Sequence, residues 1–577
     1  MAKQISYQSL TDIGLNGLNT QSNPASLDLS YLVKAENVVI RESGRIAFRK
    51  GFKQKVAPSG TAIASIHEHD DQGTNKIFVS YGTSIYTVDF TSPASAFPSS
   101  GADVKHTVSG SSGDWQFVNF NDRLHCFHAG IVPQRYDGSL GSGSKWTAHA
   151  TKPATVSSGE YKPTCGMGYY GRIWAGGVAE SPDVVYYSNL LDGDDWTGGD
   201  AGLIDLSKIW GIDDVIAIAP FYGKLVIFGK NNIVIYDNPE TVGSLALNEV
   251  IKGVGLVSRD TVQAIGDDLV FLSNTGLRSL ARTTEKDKLP LTDLSVNIKD
   301  TLIRNIGQST NVKSVYVENE GIYIMSFVDK NITYVFDFKH FTPNNAPRIT
   351  TWTFDNDREP ANMTYTETYG LLVGQQDGGI AGYEGYYDTD LAGASTYTYS
   401  SYTSSIATTW INLGESIAAS FLKRLFLVLE GGSGATLGLK WYKDYSPSPS
   451  ETTSITLNPT TTGSTALWGA STSIYGANTA YDYGGVQYCS IGQYNNQTDC
   501  EAGGGTWTTI SNTGAVDQPP NATSNPVTYK PIYGLHEYKT PLTGSAKNLK
   551  LEIDIESNGF DASLQDLTLL HKQGKIR

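Results

Sequence analysis

Seven stretches of this chain repeat one pattern, and the repeat limits the fold more than any composition figure does. They are Lys76–Phe90, Arg123–Asp137, Arg172–Ser188, Lys224–Tyr236, Leu269–Leu280, Ile322–Asp337 and Leu371–Glu384. Each opens with a short apolar run, such as LVIFG at Leu225 or LVFLS at Leu269. Each then crosses a Gly/Asn/Asp-rich turn into a second apolar stretch, the signature of two paired strands. The starts recur every 45 to 53 residues, the spacing of β-propeller blades. The expected fold is all-β: a β-propeller of six or seven blades with an additional β-sandwich-like domain. An open disc leaves sheet edges free to pair with neighbours, so a strand from outside residues 61–395 should close it.

A chain of 577 residues exceeds one ordinary core. Three regions are expected: an N-terminal β segment at 1–60, the propeller at 61–395, and the sandwich-like domain at 396–577 with a long insertion at 446–535. In the first, Ser26–Ala35 reads as a short helix or turn, and Glu36–Ile46 as strand, tight turn, strand. FRKGF at Phe48–Phe52 reads as a basic-aromatic patch. Within Leu291–Ile306, Leu294, Ile298 and Leu302 fall four apart and predict a helix of about four turns. In the last region Lys547–Ser557 alternates Leu549, Leu551, Ile553 and Ile555 with charged residues, as a strand with one wet face does. The insertion is rich in Ser, Thr, Asn, Gly and Tyr and poor in aliphatic residues, so it cannot build a large core of its own. Its Trp468 and Trp507 suit a surface ordered by a neighbouring subunit or another protein.

The formal net charge is −15, which lacks the basic footprint of a nucleic-acid reader. A repulsive wall does not trap a polyanion, so lining a passage for DNA stays compatible with it. No apolar run nears the roughly 18 residues that cross a bilayer, and the first residues lack the apolar core of a secretory signal. Synthesis and retention in a cytoplasm are expected. Of four cysteines, Cys126 and Cys165 read as buried thiols. Cys489 and Cys500 flank a polar loop and can close a small disulfide ring if maturation occurs outside a reducing cell.

The search for chemistry finds little. His67-Glu68-His69-Asp70 is the one tight run of metal-type ligands. A structural zinc site needs four ligands and a supporting shell, so a solvated turn is the expected reading. Asp192-Gly193-Asp194-Asp195 resembles part of a calcium loop but lacks its closing acid, and a carboxylate-rich turn capping a blade is expected instead. Glu180 with Asp183, and Asp213 with Asp214, are carboxylate pairs supported by residue type alone. Asn-x-Thr at Asn496 and Asn521 would matter only in a secretory route. Trp146, Trp174, Trp196, Trp210, Trp352 and Trp410 could stack on sugars, but inter-blade packing explains most of them. No nucleophile elbow, phosphate loop or zinc-protease helix occurs. The expectation is no catalysis, no cofactor and no metal.

The order of several segments resembles tail nozzle (tail tubular) proteins of short-tailed bacteriophages, the podoviruses. NVVIRESGRIAFRKGF at Asn37–Phe52 is similar to that family's N-terminal signature, with its Arg-x-Gly-aromatic element ahead of a propeller. VVYYSNLLDGDDWT at Val184–Thr197 resembles its Tyr-Ser…Asp…Trp segment. Asp214–Tyr236 and Val254–Leu280 resemble two consecutive blades, and Leu551–Arg577 its final strands. The likeness spans most of the chain but not Ser446–Leu535. It implies a virion tail protein made in the host cytoplasm: a homo-hexameric ring at the distal end of a short tail. Segment 1–60 would then serve ring and adaptor contacts. Partners would be the tail adaptor and the tail fibre or spike proteins, with genomic DNA passing through the lumen unread. The competing expectation is a tail propeller that binds or cleaves glycan.

Overall fold

The structure is a computed structural model. It describes residues 5–573 except 42–43, 89, 91–104, 109, 111–112, 142, 282–292, 310, 355–357, 393–395, 414–418, 432–434, 458–485, 490–506, 511–534, 558 and 560.

All seven repeated stretches form hairpins, and each hairpin supplies the second and third strands of one antiparallel sheet. The first strands are Ile63–Asp71, Gln116–Phe120, Cys165–Tyr169, Val215–Phe221, Gln263–Ile265, Val312–Val317 and Pro360–Thr366. Neighbouring first strands pack against one another and the last returns to the first, except that the fourth and fifth sheets meet mainly through the core around Phe228 and Phe271, so the first strands line the axis of a disc. Six sheets have four strands. Lys105–Thr107, Trp146–Ala148, Gly202–Asp205, Ala246–Lys252 and Pro347–Trp352 complete five of them. The sixth, the last blade, is completed by Phe52–Val56, which pairs with Ile380–Tyr383. The ring is therefore closed from outside 61–395, as the edge argument requires.

Among the described residues the sheet at Gln263–Ser279 has three strands. A 3₁₀ turn at Val296–Ile298 and the α-helix Lys299–Ile306 follow it, and the helix packs on its strand Gly276–Ser279. This helix is shorter than the four turns predicted from Leu291. Asp293 bridges Arg278, and the Leu294 amide donates to the Leu277 carbonyl at 2.8 Å, so this part of the chain is pinned to the sheet. Ser26–Ala35 is no helix either; turns there lead into the strand Leu32–Glu36.

The sandwich has two sheets. One contains Ile5–Leu10, Val38–Ile40, Ile46–Phe48, Ser420–Gly431, Leu535–Pro541 and Ala562–Gln573. The other prolongs the sixth sheet of the disc. Leu32–Glu36 pairs in parallel with Pro347–Trp352, and Thr403–Thr408, Asn548–Glu556, Thr436–Lys443 and Glu451–Thr456 follow. Nine strands thus run from propeller into sandwich without a break, and Ile411–Asn412, paired with Asn548–Glu556, makes the sheet ten-stranded. Residues 1–60 form no sheet of their own; their strands belong to both sandwich sheets and to the last blade.

Candidate functional site

Four polar assemblies merit a chemical reading, beginning at the junction of the two bodies. Arg49 sits in FRKGF, the basic-aromatic patch, and its side chain is fully buried. It forks onto Asp388 at 3.2 and 3.3 Å, donates to Asn37 Oδ1 at 3.0 Å and lies 4.0 Å from the centre of the Tyr402 ring. Gly51 lets the backbone pass Tyr387, since an added Cβ would lie 1.9 Å from the Tyr387 carbonyl. Phe52 packs among Trp352, Phe354 and Tyr383. The Arg-x-Gly-aromatic element is thus a clamp between sandwich and propeller. A cleft of about 300 Å³ opens beside it, where Lys50 pairs with Glu320 at 2.6 Å.

The propeller axis holds the second assembly. Asp114 precedes the first strand of the second blade, Lys313 lies in the first strand of the sixth sheet, and Arg259-Asp260 precedes that of the fifth. Lys313 bonds both Asp114 and Asp260 at 2.6 Å, and Arg259 bonds Asp114 at 2.6 Å and Asp260 at 2.9 Å. Ser65 of the first blade donates to Asp114 at 2.9 Å. Two anions and two cations therefore tie opposite sides of the ring together across the axis. Burial and the neighbouring Asp260 push the Asp114 carboxyl up. Burial opposes ionisation of Asp260 as well, but Arg259 and Lys313 overcome it and hold that carboxyl well below the usual range.

The third lies between the second and third blades and joins residues that sequence reasoning did not connect. His125 Nδ1 and His149 Nε2 are 3.0 Å apart, and each lies 3.8 Å from Asp194 Oδ1. The geometry alone suits a metal: a point about 2.1 Å from all three atoms exists, near a zinc–nitrogen distance. The hydrogen-bond polarity does not suit one. Trp196 Nε1, which can only donate, donates to His149 Nδ1 at 3.1 Å. In the neutral ring the proton then sits on Nε2 and is donated to His125 Nδ1; this tautomer is assigned from the network. The nitrogen that would bind a cation is occupied by that proton, and Arg135 already pairs with Asp194. Burial, aided by Arg135, holds both histidines neutral; His125 is lowered to about 3 and His149 well below its usual range.

This arrangement explains Asp192–Asp195. Gly193 packs on the His125 ring, Asp194 pairs with Arg135, and Asp195 accepts the Thr197 and Gly198 amides at 3.0 and 2.9 Å. The loop grips the blade beside it. The sequence signal was present in Asp-Gly-Asp-Asp-Trp; its partners lay too far along the chain to be assigned.

His67-Glu68-His69-Asp70 is the fourth, and it corrects an expectation. It lies within the strand Ile63–Asp71 rather than in a solvated turn. His69 is 2 % exposed and bonds Asn119 Oδ1 at 2.9 Å, and His67 stacks on Phe117. Burial lowers both, His67 to about 4. Glu180 accepts from Ser157, and Asp213 accepts from Asn231 and Asn232; both hold turns. Trp174, Trp196, Trp210 and Trp352 are buried, whereas Trp146 and Trp410 are half-buried. Cys126 and Cys165 are buried free thiols. Cys500, Asn496, Asn521 and most of 446–535 lie outside the described residues, as does the side chain of Cys489.

No family model and no curated protein matches the chain. Solved structures do. The WD40 domain of Neurospora crassa Pan2 matches at 8% identity and a TM-score of 0.36, over 58% of this chain and 95% of that one. PorZ, a surface component of the type-IX secretion system of Porphyromonas gingivalis, matches at 10% identity and a TM-score of 0.35, over 64% of this chain and 44% of that one. These likenesses concern the fold alone. The class is a β-propeller protein. Among the described residues no helix is long and apolar enough to cross a membrane.

Proposed function

We propose that the chain is a structural ring component of a short phage tail, the nozzle, whose subunits together line the path of the genome. The observation that carries this reading is the continuous ten-stranded sheet from disc to sandwich, locked by the buried Arg49–Asp388 pair. A body so joined resists bending between its parts, as a load-bearing wall must. The axial ties through Asp114, Arg259, Asp260 and Lys313 cross-link blades around the disc's own centre, and this reading places the conduit between subunits rather than within one. The titratable groups that geometry gathers are held in ion pairs or buried neutral, which favours a mechanical role over turnover. Host cytoplasm as the place of synthesis, and adaptor and fibre proteins as neighbours, belong to this reading.

Electron microscopy of the purified full chain tests it: rings with an open centre are expected. A dispersed monomer that hydrolyses or binds surface glycan would favour the enzyme or lectin reading instead. Exposed aromatic residues on one face of the disc are the one observation that speaks for that alternative.

A further inference from the structure

Two surfaces outside these assemblies expose apolar side chains, and their unpaired charges are opposite in sign. The first lies on one face of the disc, where first and second strands turn. Tyr170-Gly171 and Tyr222-Gly223 are the two-residue turns joining first and second strands of the third and fourth blades. The tyrosines have φ of 45° and 46°, and both glycines are also left-handed. This is the conformation of a type I′ turn, which Asn-Gly fills without strain. The corresponding turns nearby use Gln72-Gly73 and Asn121-Asp122. A bulky aromatic at positive φ is an outlier, and such outliers gather where function requires them.

Tyr170 and Tyr222 are 44% and 65% exposed, and an added Cβ on Gly223 would lie 3.6 Å from the Tyr170 hydroxyl. Leu190 and Leu191, 48% and 63% exposed, border Gly171. The basic residues of these turns are already paired: Arg123 with Asp137, Arg172 with Asp200, and Lys224 with Asp237. Asp122, Asp192 and Glu240 are exposed beside the patch, and among the described residues none has an ion pair.

The second surface is the outer face of the sandwich sheet containing Ser420–Gly431. Register sets Tyr7 opposite Leu570, Leu570 opposite Arg424, and Phe421 opposite Lys572. Tyr7 is 71% exposed and Phe421 52%. Lys423, Arg424 and Lys572 have no ion pair among the described residues, and they outnumber the one unpaired acid on this side, Asp566, which accepts from Thr568.

We propose that the tyrosine patch of one copy docks on this basic sheet face of the next copy. Apolar side chains then meet apolar side chains, and three unpaired carboxylates meet three unpaired cations. Such complementarity selects a partner and fixes its register. The contact joins different patches on each copy, so it propagates head to tail and closes into a ring if the rotation permits. The inference rests on the ring reading above only in naming a second copy as the occupant.

Charge reversal on the full chain, followed by sedimentation velocity, tests it. Wild type should self-associate. A disc variant (Asp192→Lys with Glu240→Lys) and a sandwich variant (Lys423→Glu with Arg424→Glu) should each stay monomeric alone. Mixed in equal amounts they should assemble, because each reversed surface meets its complement. Tyr222→Asn, which keeps the turn, should weaken association about tenfold, as loss of an aromatic anchor does, with Tm unchanged or raised. Rings that survive both reversals would remove this interface and leave the ring reading standing. A wild-type monomer would defeat both. A folded mixture that stays monomeric overturns the pairing. So does a glycan that binds wild type, is lost in Tyr222→Asn, and leaves assembly untouched; it would give the tyrosine patch to sugar.

Discussion

The disc and the sandwich bury apolar surface in different ways. The disc divides it among small cores between neighbouring sheets. One surrounds Trp174, Leu225 and Val234; another joins Phe228 of the fourth blade to Phe271 of the fifth sheet. The sandwich shares one large core, which runs from Leu427 and Leu567 through Phe336 of the sixth sheet to Leu272 and Leu302. A divided interior should confine damage, and a shared one should spread it. What joins the two regimes is one shared sheet, the part of that core which reaches the fifth and sixth sheets, and one buried ion pair.

The largest expected effect breaks that joint. Arg49→Met leaves Asp388 buried without its partner, and removing one member of a buried pair costs about 3–5 kcal/mol. Calorimetry should show one transition in wild type and two in the variant. A single, uniformly lowered transition would mean that the shared sheet alone couples the bodies. Next come two core truncations that test reach. Trp174→Ala should cost about 3–5 kcal/mol and Leu427→Ala about 2–5 kcal/mol. Hydrogen exchange should rise only in the third and fourth blades for the first, and across the sandwich and the fifth and sixth sheets for the second. Equal reach for both would erase the contrast.

Acid gives a smaller effect, seated at the blade boundary. The folded-state pKa values of His125 and His149 lie below that of a free histidine. Below about pH 6.5 the unfolded chain takes up protons that the folded chain refuses, so stability present above that pH is lost as it falls toward 3. The slope should approach 1.4 kcal/mol per pH unit for each histidine. Denaturant melts at pH 7 and pH 5 measure it. His149→Gln keeps an acceptor for Trp196 and should flatten the slope; an unchanged slope would place the titration elsewhere. The smallest effect is a gain. Tyr222→Asn relieves a left-handed aromatic and should stabilise the fold by about 0.5–1 kcal/mol; a loss would mean that the ring packs more than its exposure suggests.

The hairpins were legible because each blade's second and third strands are buried on both faces and leave continuous apolar runs, as in LVIFG. First and fourth strands were harder to see. Ala246–Lys252 is mostly exposed and carries no such run. The closing strand Phe52–Val56 alternates plainly, but its partner lies more than 300 residues away. The polar assemblies were least legible. His125, His149 and Asp194 come from three separate segments, and only folding brings them to one point. The His67–Asp70 run looked hydrophilic and so read as a turn, yet its neighbours Asn119 and Phe117 make a strand interior that accepts imidazoles.

Closure of the ring by Phe52–Val56 also sets a timetable. A ribosome adds about 5–20 residues per second, so this strand waits roughly 15–70 s for Ile380–Tyr383 to appear. Ile5–Leu10 waits longer still, because its partner is Ala562–Gln573. For most of its synthesis the nascent chain therefore carries unpaired strands at its leading end while the central blades can already form. Premature capture of those strands, by a neighbouring nascent chain for instance, is the hazard that this architecture builds in.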